Sequence, residues 1–201
     1  MSAAEPSNPE ILKLTKLDAA RRQLQTAIIL WFTNGDSVSI HTLAAAAYEV
    51  IYTATKKRAP DRPALLFDSQ LLTGVRRQAF NTTMKSFASF FKHADLDTDT
   101  ILYFNPTISE KLIFYSIAWI LTPDNIPNLF ESAFMTYLQF HKPHYLSDEG
   151  QKFIANNFAV TIVGQVKSLS KKDYFELEPP RVCRRLFRLS HAAMAGCSIM
   201  A

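Results

Sequence analysis

Apolar residues recur at three- and four-residue intervals through most of the chain, a spacing that places side chains on one face of an α-helix. The first such stretch predicts a helix from about Pro9 to Phe32, and Asn34-Gly35-Asp36 predicts the turn that ends it. Asp36 or Ser37 is then expected to cap a second helix that continues to about Lys57. Two helices joined by so short a turn predict an antiparallel helical hairpin.

The second helix carries Ala44 to Ala47, a run with so little side-chain bulk that another helix could approach it closely. His41, in the first turn of this helix, is expected to be a surface or capping histidine. Downstream, the pattern predicts a short helix from Pro63 to Leu72 and a longer one from Val75 to about Ala94. Ile101 to Phe104 is the one stretch that favours an extended strand.

Asn105-Pro106-Thr107 followed by Glu110 predicts a helix start, with proline in the first turn and a capping box between Thr107 and Glu110. The helix that it opens, Thr107 to Leu121, is apolar on almost every face, so we expect it to be the central and most buried helix. Three further helices are predicted after it. The first runs from Leu129 to His141, and the second starts at Ser147 or Asp148 and runs through Phe158 to Ile162. The third follows a capping box at Ser170 and Asp173.

These elements predict an all-α fold, a single-domain multi-helix bundle that begins with the antiparallel hairpin. Residues 1–9 are expected to be a disordered N-terminus and residues 10–201 a single helical domain, ending in a basic helix at about 181–194. A chain of 201 residues is long enough to close one hydrophobic core. Its 48% hydrophobic and 20% charged residues are globular values, which exclude an intrinsically disordered chain.

The chain shows no sequence signal for a membrane or secreted protein. Its longest uncharged apolar stretch, Leu112 to Pro123, is shorter than the roughly 18 to 20 residues that cross a bilayer. The first residues lack the basic and apolar regions of a secretory signal, so we expect a cytoplasmic protein without a membrane span. Cys183 and Cys197 form no Cys-x-x-Cys motif, and we expect both to be reduced thiols.

The net charge of +4 is concentrated at one end of the sequence. Fifteen basic and fifteen acidic residues precede Gln165, whereas seven basic and three acidic residues occur from Gln165 onward. Such asymmetry favours an anionic partner for the C-terminal part, either RNA or an acidic protein, although solvated basic helices without a partner are also common.

A first candidate for chemistry is the segment from Lys92 to Asp99, in which a histidine precedes three alternating aspartates. Lys92, His93 and Asp95 are the candidate catalytic residues. A metal site built on His93 and the aspartates is the alternative, but the segment lacks the glycine and the closing glutamate of an EF-hand. A helix end followed by a solvated loop explains the same pattern without any chemistry. Because glycine-rich phosphate loops and His-Glu-x-x-His are absent, no cofactor or metal is expected.

A second candidate is the C-terminal helix, which places four arginines on one side at helical spacing. Together with Arg77 and His191 they are the candidate residues for binding an anion or RNA: Arg181, Arg184, Arg185 and Arg188. Arg184 and Arg185 also precede His191 at a spacing found in metal-independent ribonucleases, where arginine holds the phosphate and histidine moves a proton. A short match of this kind is expected by chance in a chain of this length.

Four segments together resemble a family of uncharacterised bacterial all-helical proteins: residues 19–28, 39–48, 90–95 and 104–106. The hairpin with its alanine-rich second helix is also similar to the HEPN superfamily of helical bundles. This resemblance implies a homodimer and a role with RNA, since many HEPN proteins are ribonucleases and many others are noncatalytic RNA-binding or scaffold domains. Catalytic members carry Arg-x4-6-His. Here Lys92-His93 stands in the matching region without that arginine.

The leading hypothesis from the sequence is therefore a cytoplasmic HEPN-like helical protein that binds RNA or cleaves it without metal. The alternative is a noncatalytic helical protein-protein interaction module, whose basic tail docks on an acidic protein and whose body self-associates. Whether the chain is an enzyme is left open at this point.

Overall fold

A computed structural model describes residues 11–60, 74–93, 99–120, 126–145 and 148–177. These residues form eight α-helices and one 3-10 turn, without a β-strand. The all-α fold class is thus confirmed. The predicted disordered start, the short helix from Pro63 to Leu72 and the basic helix at 181–194 lie outside the described residues.

The helices follow one another with short connections. Their bounds are α1 Lys16–Phe32, α2 Ser37–Arg58, α3 Gly74–Phe90, α4 Thr107–Ile120, α5 Leu129–His141, α6 Asp148–Asn157, α7 Val160–Ser168 and α8 Lys171–Leu177, with the 3-10 turn at Pro143–Tyr145.

Helix α1 begins later than the apolar pattern predicts. Thr15 caps it, because the Thr15 hydroxyl accepts from the backbone N–H of Asp18 at 3.1 Å and the Asp18 carboxylate accepts from the N–H of Thr15 at 2.9 Å. This reciprocal pair starts the helix at Lys16. The preceding Leu14, which the pattern assigned to the helix, is 43% exposed.

The predicted hairpin between α1 and α2 is confirmed. Asn34 adopts the left-handed conformation with φ of 52°, and the N–H of Gly35 donates to the carbonyl of Leu30 at 2.7 Å, which closes the end of α1. Asp36 then caps α2 by accepting from the N–H of Ser39 at 2.7 Å. A Cβ at position 35 would lie 2.9 Å from Leu30 Cδ2 and 3.2 Å from the carbonyl oxygen of Leu30, so a larger residue there would require Leu30 to shift.

Helix α2 is the most extensively packed element, with broad interfaces to α1 on one side and to α4 on the other. Its small residues allow this close approach, because Ala44 and Ala47 are completely buried. Helix α4 is also buried as predicted: every side chain after Thr107 is at least partly buried, and Leu112, Ile113, Ile117 and Trp119 belong to the core.

The predicted capping box of Thr107 and Glu110 is wrong. The cap of α4 is Asn105, whose side-chain oxygen accepts from the N–H of Thr107 at 3.1 Å and from its hydroxyl at 2.9 Å. Glu110 is consequently one turn inside the helix. Its carboxylate faces other helices, where it has a different role described below.

The predicted strand at Ile101 to Phe104 is also wrong, because this segment forms neither helix nor strand. The residues do alternate, with Ile101 and Tyr103 exposed and Leu102 and Phe104 half-buried. This alternation of exposed and half-buried side chains is typical of a β-strand. A strand also needs a second strand to hydrogen-bond with, and the described residues contain none. The preceding helix α3 ends at Phe90, and its first apolar residue, Val75, is 82% exposed.

The single helix predicted from Asp148 to Ile162 is two helices, α6 and α7. The chain leaves helical geometry at Ala159, which is extended with ψ of 137°. At this break Phe158 is buried against Phe140 of α5, with the two ring centres 5.5 Å apart. The buried aromatic therefore fixes the position of the corner.

Helix α8 completes the described bundle through its aromatic residues. Tyr174 is fully buried, and Phe175 stacks on Phe32 of α1 with ring centres 4.7 Å apart. Ser170 caps α8, because its hydroxyl accepts from the N–H of Asp173 at 3.1 Å and donates to the Asp173 carboxylate at 2.6 Å. None of the helices in the described part of the chain combines the length and apolarity needed to cross a membrane.

Candidate functional site

One end of the bundle contains a cleft of about 210 Å³. It lies where the end of α1 and the hairpin turn meet the first turns of α2 and α4, and the first residue of α8 closes one side. Trp31, Ile40 and Pro106 give it apolar walls, while Ser37 and Thr107 contribute hydroxyl groups. We refer to this feature as the cleft.

Each of the two helix starts beside the cleft has a backbone N–H capped from within the chain. The N–H of Ser39 donates to Asp36, and the N–H of Thr107 donates to Asn105. These two amides are therefore already occupied and do not serve as anion donors.

Glu110 is the most buried charged side chain in the wall of the cleft, with a relative exposure of 8%. One carboxylate oxygen accepts from the indole N–H of Trp31 at 3.3 Å, and the other forms an ion pair with Lys142 at the end of α5. Burial raises the pKa of the neighbouring Tyr137, and the negative charge of Glu110 raises it further. The buried carboxylate of Glu110 is thus paired with one cation and one neutral donor.

Lys171 also lines the cleft, with its ammonium 4.4 Å from the ring centre of Trp31. Burial lowers the pKa of Lys171; the negative charge of Glu110 opposes this effect and the positive charge of Lys142 adds to it. Lys171 forms no hydrogen bond or ion pair with any described residue. Its three N–H donors therefore face the aromatic ring and the open cleft.

His41 is completely buried, so the prediction of a surface or capping histidine is wrong. Its Nδ1 hydrogen-bonds to Ser109 Oγ at 3.2 Å, and three phenylalanine rings surround the imidazole at centre distances of 5.0 to 6.0 Å: Phe87, Phe91 and Phe104. Burial lowers the pKa of His41 to about 4, with a further contribution from the positive charge of Lys92. The imidazole is therefore neutral at physiological pH.

The His41–Ser109 pair is not built like a hydrolase dyad, although Ser109 lines the cleft. His41 Nε2 has no hydrogen-bond partner among the described residues, so no carboxylate orients the ring or balances an imidazolium. A sequence signal for this burial did exist. His41 falls on the same helical stripe as Ala44, Ala45 and Tyr48, all of which are buried.

The residues proposed as catalytic lie just beyond α3. Lys92 and His93 are exposed, and the N–H groups of both donate to the carbonyl of Ser89 at 3.0 Å, so they extend the last turn of the helix. Asp95 lies outside the described residues, as does most of the aspartate segment of the alternative metal site. Within the part of the chain that is described, no three His, Cys, Asp or Glu side chains gather in a metal-binding group.

Of the predicted anion-binding residues, only Arg77 lies within the described part of the chain. Arg77 belongs to the beginning of α3, and a helix rise of about 1.5 Å per residue puts its backbone about 20 Å from Phe90 at the other end. The helix therefore keeps the backbone of Arg77 well apart from Lys92 and His93. The C-terminal set, Arg181, Arg184, Arg185, Arg188 and His191, lies outside the described residues.

Comparisons with known proteins give no family for this chain. No family model matches it, and no match was found to a curated protein or to a solved structure. The functional interpretation consequently depends on the chemistry of the side chains described above.

Proposed function

We propose that the protein binds RNA through the outward face of α3 and the two residues that follow Phe91. The observation that carries this proposal is the charge of residues 74–93, which include four Lys or Arg residues and His93 but no Asp or Glu. Since the backbone of RNA is a regular array of negative phosphates, an acid-free basic helix on the outside of a bundle suits it electrostatically.

The helix separates an apolar face from a polar face. Met84, Phe87 and Ala88 are buried against the bundle. On the opposite side, exposed residues recur at intervals of four, three, four and three positions, which aligns them along the helix: Gln78, Thr82, Lys85, Ser89 and Lys92. We call these five residues the α3 face.

The composition of the α3 face favours contact with phosphates over reading of bases. Lysine ammonium groups, hydroxyls and the glutamine amide are the usual partners of phosphate oxygens. Lys85 and Lys92 are seven residues apart, about 10 Å along the helix, so they are placed to contact different phosphates. The face has no aromatic residue on which a base could stack, so we expect binding with little sequence preference.

RNA binding is tested by fluorescence anisotropy with a labelled single-stranded RNA across a range of salt concentrations. The double variant Lys85→Ala/Lys92→Ala should weaken binding and reduce the slope of log K against log salt by about 1.4, since each contact to single-stranded nucleic acid contributes about 0.7. Lys167→Ala, an exposed lysine on α7, is the matched control and should leave the slope unchanged. Equal affinity and slope for all three proteins would refute the proposal.

Cleavage is the second part of the proposal, and it assigns proton transfer to His93 with Lys92 at the phosphate. The resemblance to HEPN bundles, some of which cleave RNA without metal, supports it. Incubation with total RNA in EDTA should give fragments for the wild-type protein and none for His93→Ala. If the RNA stays intact in both samples, the protein does not cleave RNA and only the binding part of the proposal stands. If fragments persist with His93→Ala but disappear with His191→Ala, proton transfer is assigned to His191.

A noncatalytic interaction module is the alternative function, and one observation favours it. Ile101 and Tyr103, two positions apart in the segment before α4, are 78% and 89% exposed, an unusual placement for two large side chains. Light scattering coupled to size-exclusion chromatography distinguishes the cases. A homodimer that dissociates in Ile101→Ser/Tyr103→Ser supports self-association through this segment, whereas an unchanged mass in both proteins opposes it.

A further inference from the structure

The cleft is lined by two charged groups that form no ion pair with each other. No ion pair within 4.0 Å joins Lys171 to Glu110, yet the charge of Glu110 raises the pKa of Lys171. Both residues line the cleft. A positive and a negative group therefore border the same small volume.

Both groups retain unused hydrogen-bonding capacity. The Lys171 ammonium has three donors, none of which reaches an acceptor in the described residues. The Glu110 carboxylate has about four lone-pair sites, and the bonds from Trp31 and Lys142 occupy two of them. Partly buried charges with unused capacity gain from a ligand that supplies the missing partners.

The volume sets the size of that ligand. About 210 Å³ is below the roughly 300 to 1,000 Å³ of sites for drug-sized ligands. At roughly 30 Å³ per water it corresponds to about seven waters, which is room for roughly seven to ten non-hydrogen atoms. A nucleotide would extend well beyond this cleft, whereas a small metabolite can be largely enclosed by it.

We propose that the cleft binds a small zwitterion with the chemistry of a free amino acid. The ligand carboxylate accepts hydrogen bonds from Lys171, and the ligand ammonium donates to the remaining lone pairs of Glu110. A short apolar side chain packs against Trp31 and Ile40. This site is separate from the α3 face and does not depend on RNA binding.

The charge arrangement selects against ligands that carry only one charge. A simple anion would satisfy the donors of Lys171 but leave the remaining lone pairs of Glu110 without a donor. A simple amine would satisfy Glu110 but leave the donors of Lys171 without an acceptor. A zwitterion satisfies both groups at once and introduces no net charge into the cleft. Selectivity between L-alanine and its singly charged analogues is therefore the signature of the site.

The test is isothermal titration of the full chain with L-alanine, L-serine and L-valine, and with propionate and ethylamine as analogues lacking one charge. At least one amino acid should bind saturably, and the singly charged analogues should bind at least about tenfold more weakly. Lys171→Met should weaken amino-acid binding by at least about tenfold, because it removes a charged hydrogen bond. The matched control is Lys172→Met, which alters an adjacent lysine that is 62% exposed.

Tryptophan fluorescence provides a second readout. The chain has two tryptophans, and Trp119 is buried in α4 away from the cleft residues, so a ligand that draws the ammonium away from Trp31 should change the emission of Trp31 alone. Three results would overturn the proposal: no saturable binding of any of the three amino acids, propionate binding as tightly as L-alanine, or wild-type affinity in Lys171→Met. If circular dichroism shows that Lys171→Met is unfolded, the comparison of amino acids with propionate and ethylamine on the wild-type protein still tests the proposal.

Discussion

Lowering the pH should destabilise this protein before most of its carboxylates are protonated, because His41 is buried as a neutral base. Its pKa is about 4 in the folded protein, against an ordinary value of 6.5 in the unfolded chain. As the pH falls, the unfolded chain therefore takes up a proton on this histidine first. The stabilisation is fully present above about pH 6.5 and is lost progressively as the pH falls to about 4.

The size of the effect follows from the difference in pKa. A shift of about 2.5 units at about 1.36 kcal/mol per unit gives a total loss of about 3 kcal/mol, of which about 2 kcal/mol falls between about pH 7.5 and pH 5. Ordinary Asp and Glu side chains titrate near 3.9 and 4.3, so most of this window is free of their contribution. A loss of that size is a substantial part of the 5 to 15 kcal/mol that stabilises a typical domain.

Urea unfolding followed by circular dichroism measures this loss at a series of pH values and constant ionic strength. His41→Gln retains a hydrogen-bonding side chain near Ser109 but does not titrate, so its free energy of unfolding should change much less over the same window. His144→Gln, which removes an exposed histidine, should behave like the wild type. If wild type and His41→Gln lose stability in parallel, His41 is not the acid-sensitive group and the argument from its burial fails.

Two further predictions concern packing and charge in the core. Glu131, which is 1% exposed, pairs with Arg21 at 2.8 Å. Glu131→Ala should lower the free energy of unfolding in urea by about 2 to 3 kcal/mol. This is less than the roughly 3 to 5 kcal/mol typical of a fully buried pair, because Arg21 is 30% exposed. Glu176→Ala, which removes an exposed i,i+4 pair, should show no measurable loss, and equal effects would contradict the reasoning. Ala47→Leu should cost about 1 to 3 kcal/mol through overpacking of α2. Thr53→Leu, on the exposed side of the same helix, should leave the free energy of unfolding unchanged. If Ala47→Leu is as stable as the wild type, the helices can move apart and the overpacking argument is wrong.

The sequence predicted those parts of the fold that depend on neighbouring residues. Asp36 and the turn before it, and the bounds of α5, are set by local capping and turn chemistry that can be read from a few adjacent positions. The strand prediction at Ile101 to Phe104 failed because alternation describes only one strand, and a sheet also requires a partner. Likewise, nothing local distinguishes a continuous helix from one that is broken where Phe158 meets Phe140.

The cleft was missed for a related reason. Glu110 has the spacing of a capping residue, and only the placement of Trp31 and Lys142, which are distant in sequence, shows that it is a buried ion-pair partner. The burial of His41 depends in the same way on rings contributed by α3 and by the segment before α4. The burial and the partners of polar residues on otherwise apolar helix faces are therefore what this sequence predicts least well.

The turn of four residues between α1 and α2 has a consequence for how the chain folds. The interface between α1 and α2 joins helices that are adjacent in sequence. Only a short loop has to close when the two helices associate, so the entropy cost of closing it is small. We expect the hairpin to form first and to offer its alanine-rich side as the template on which α4 condenses. Substitutions at the α1–α2 interface should then slow refolding, whereas those in α8 should mainly accelerate unfolding.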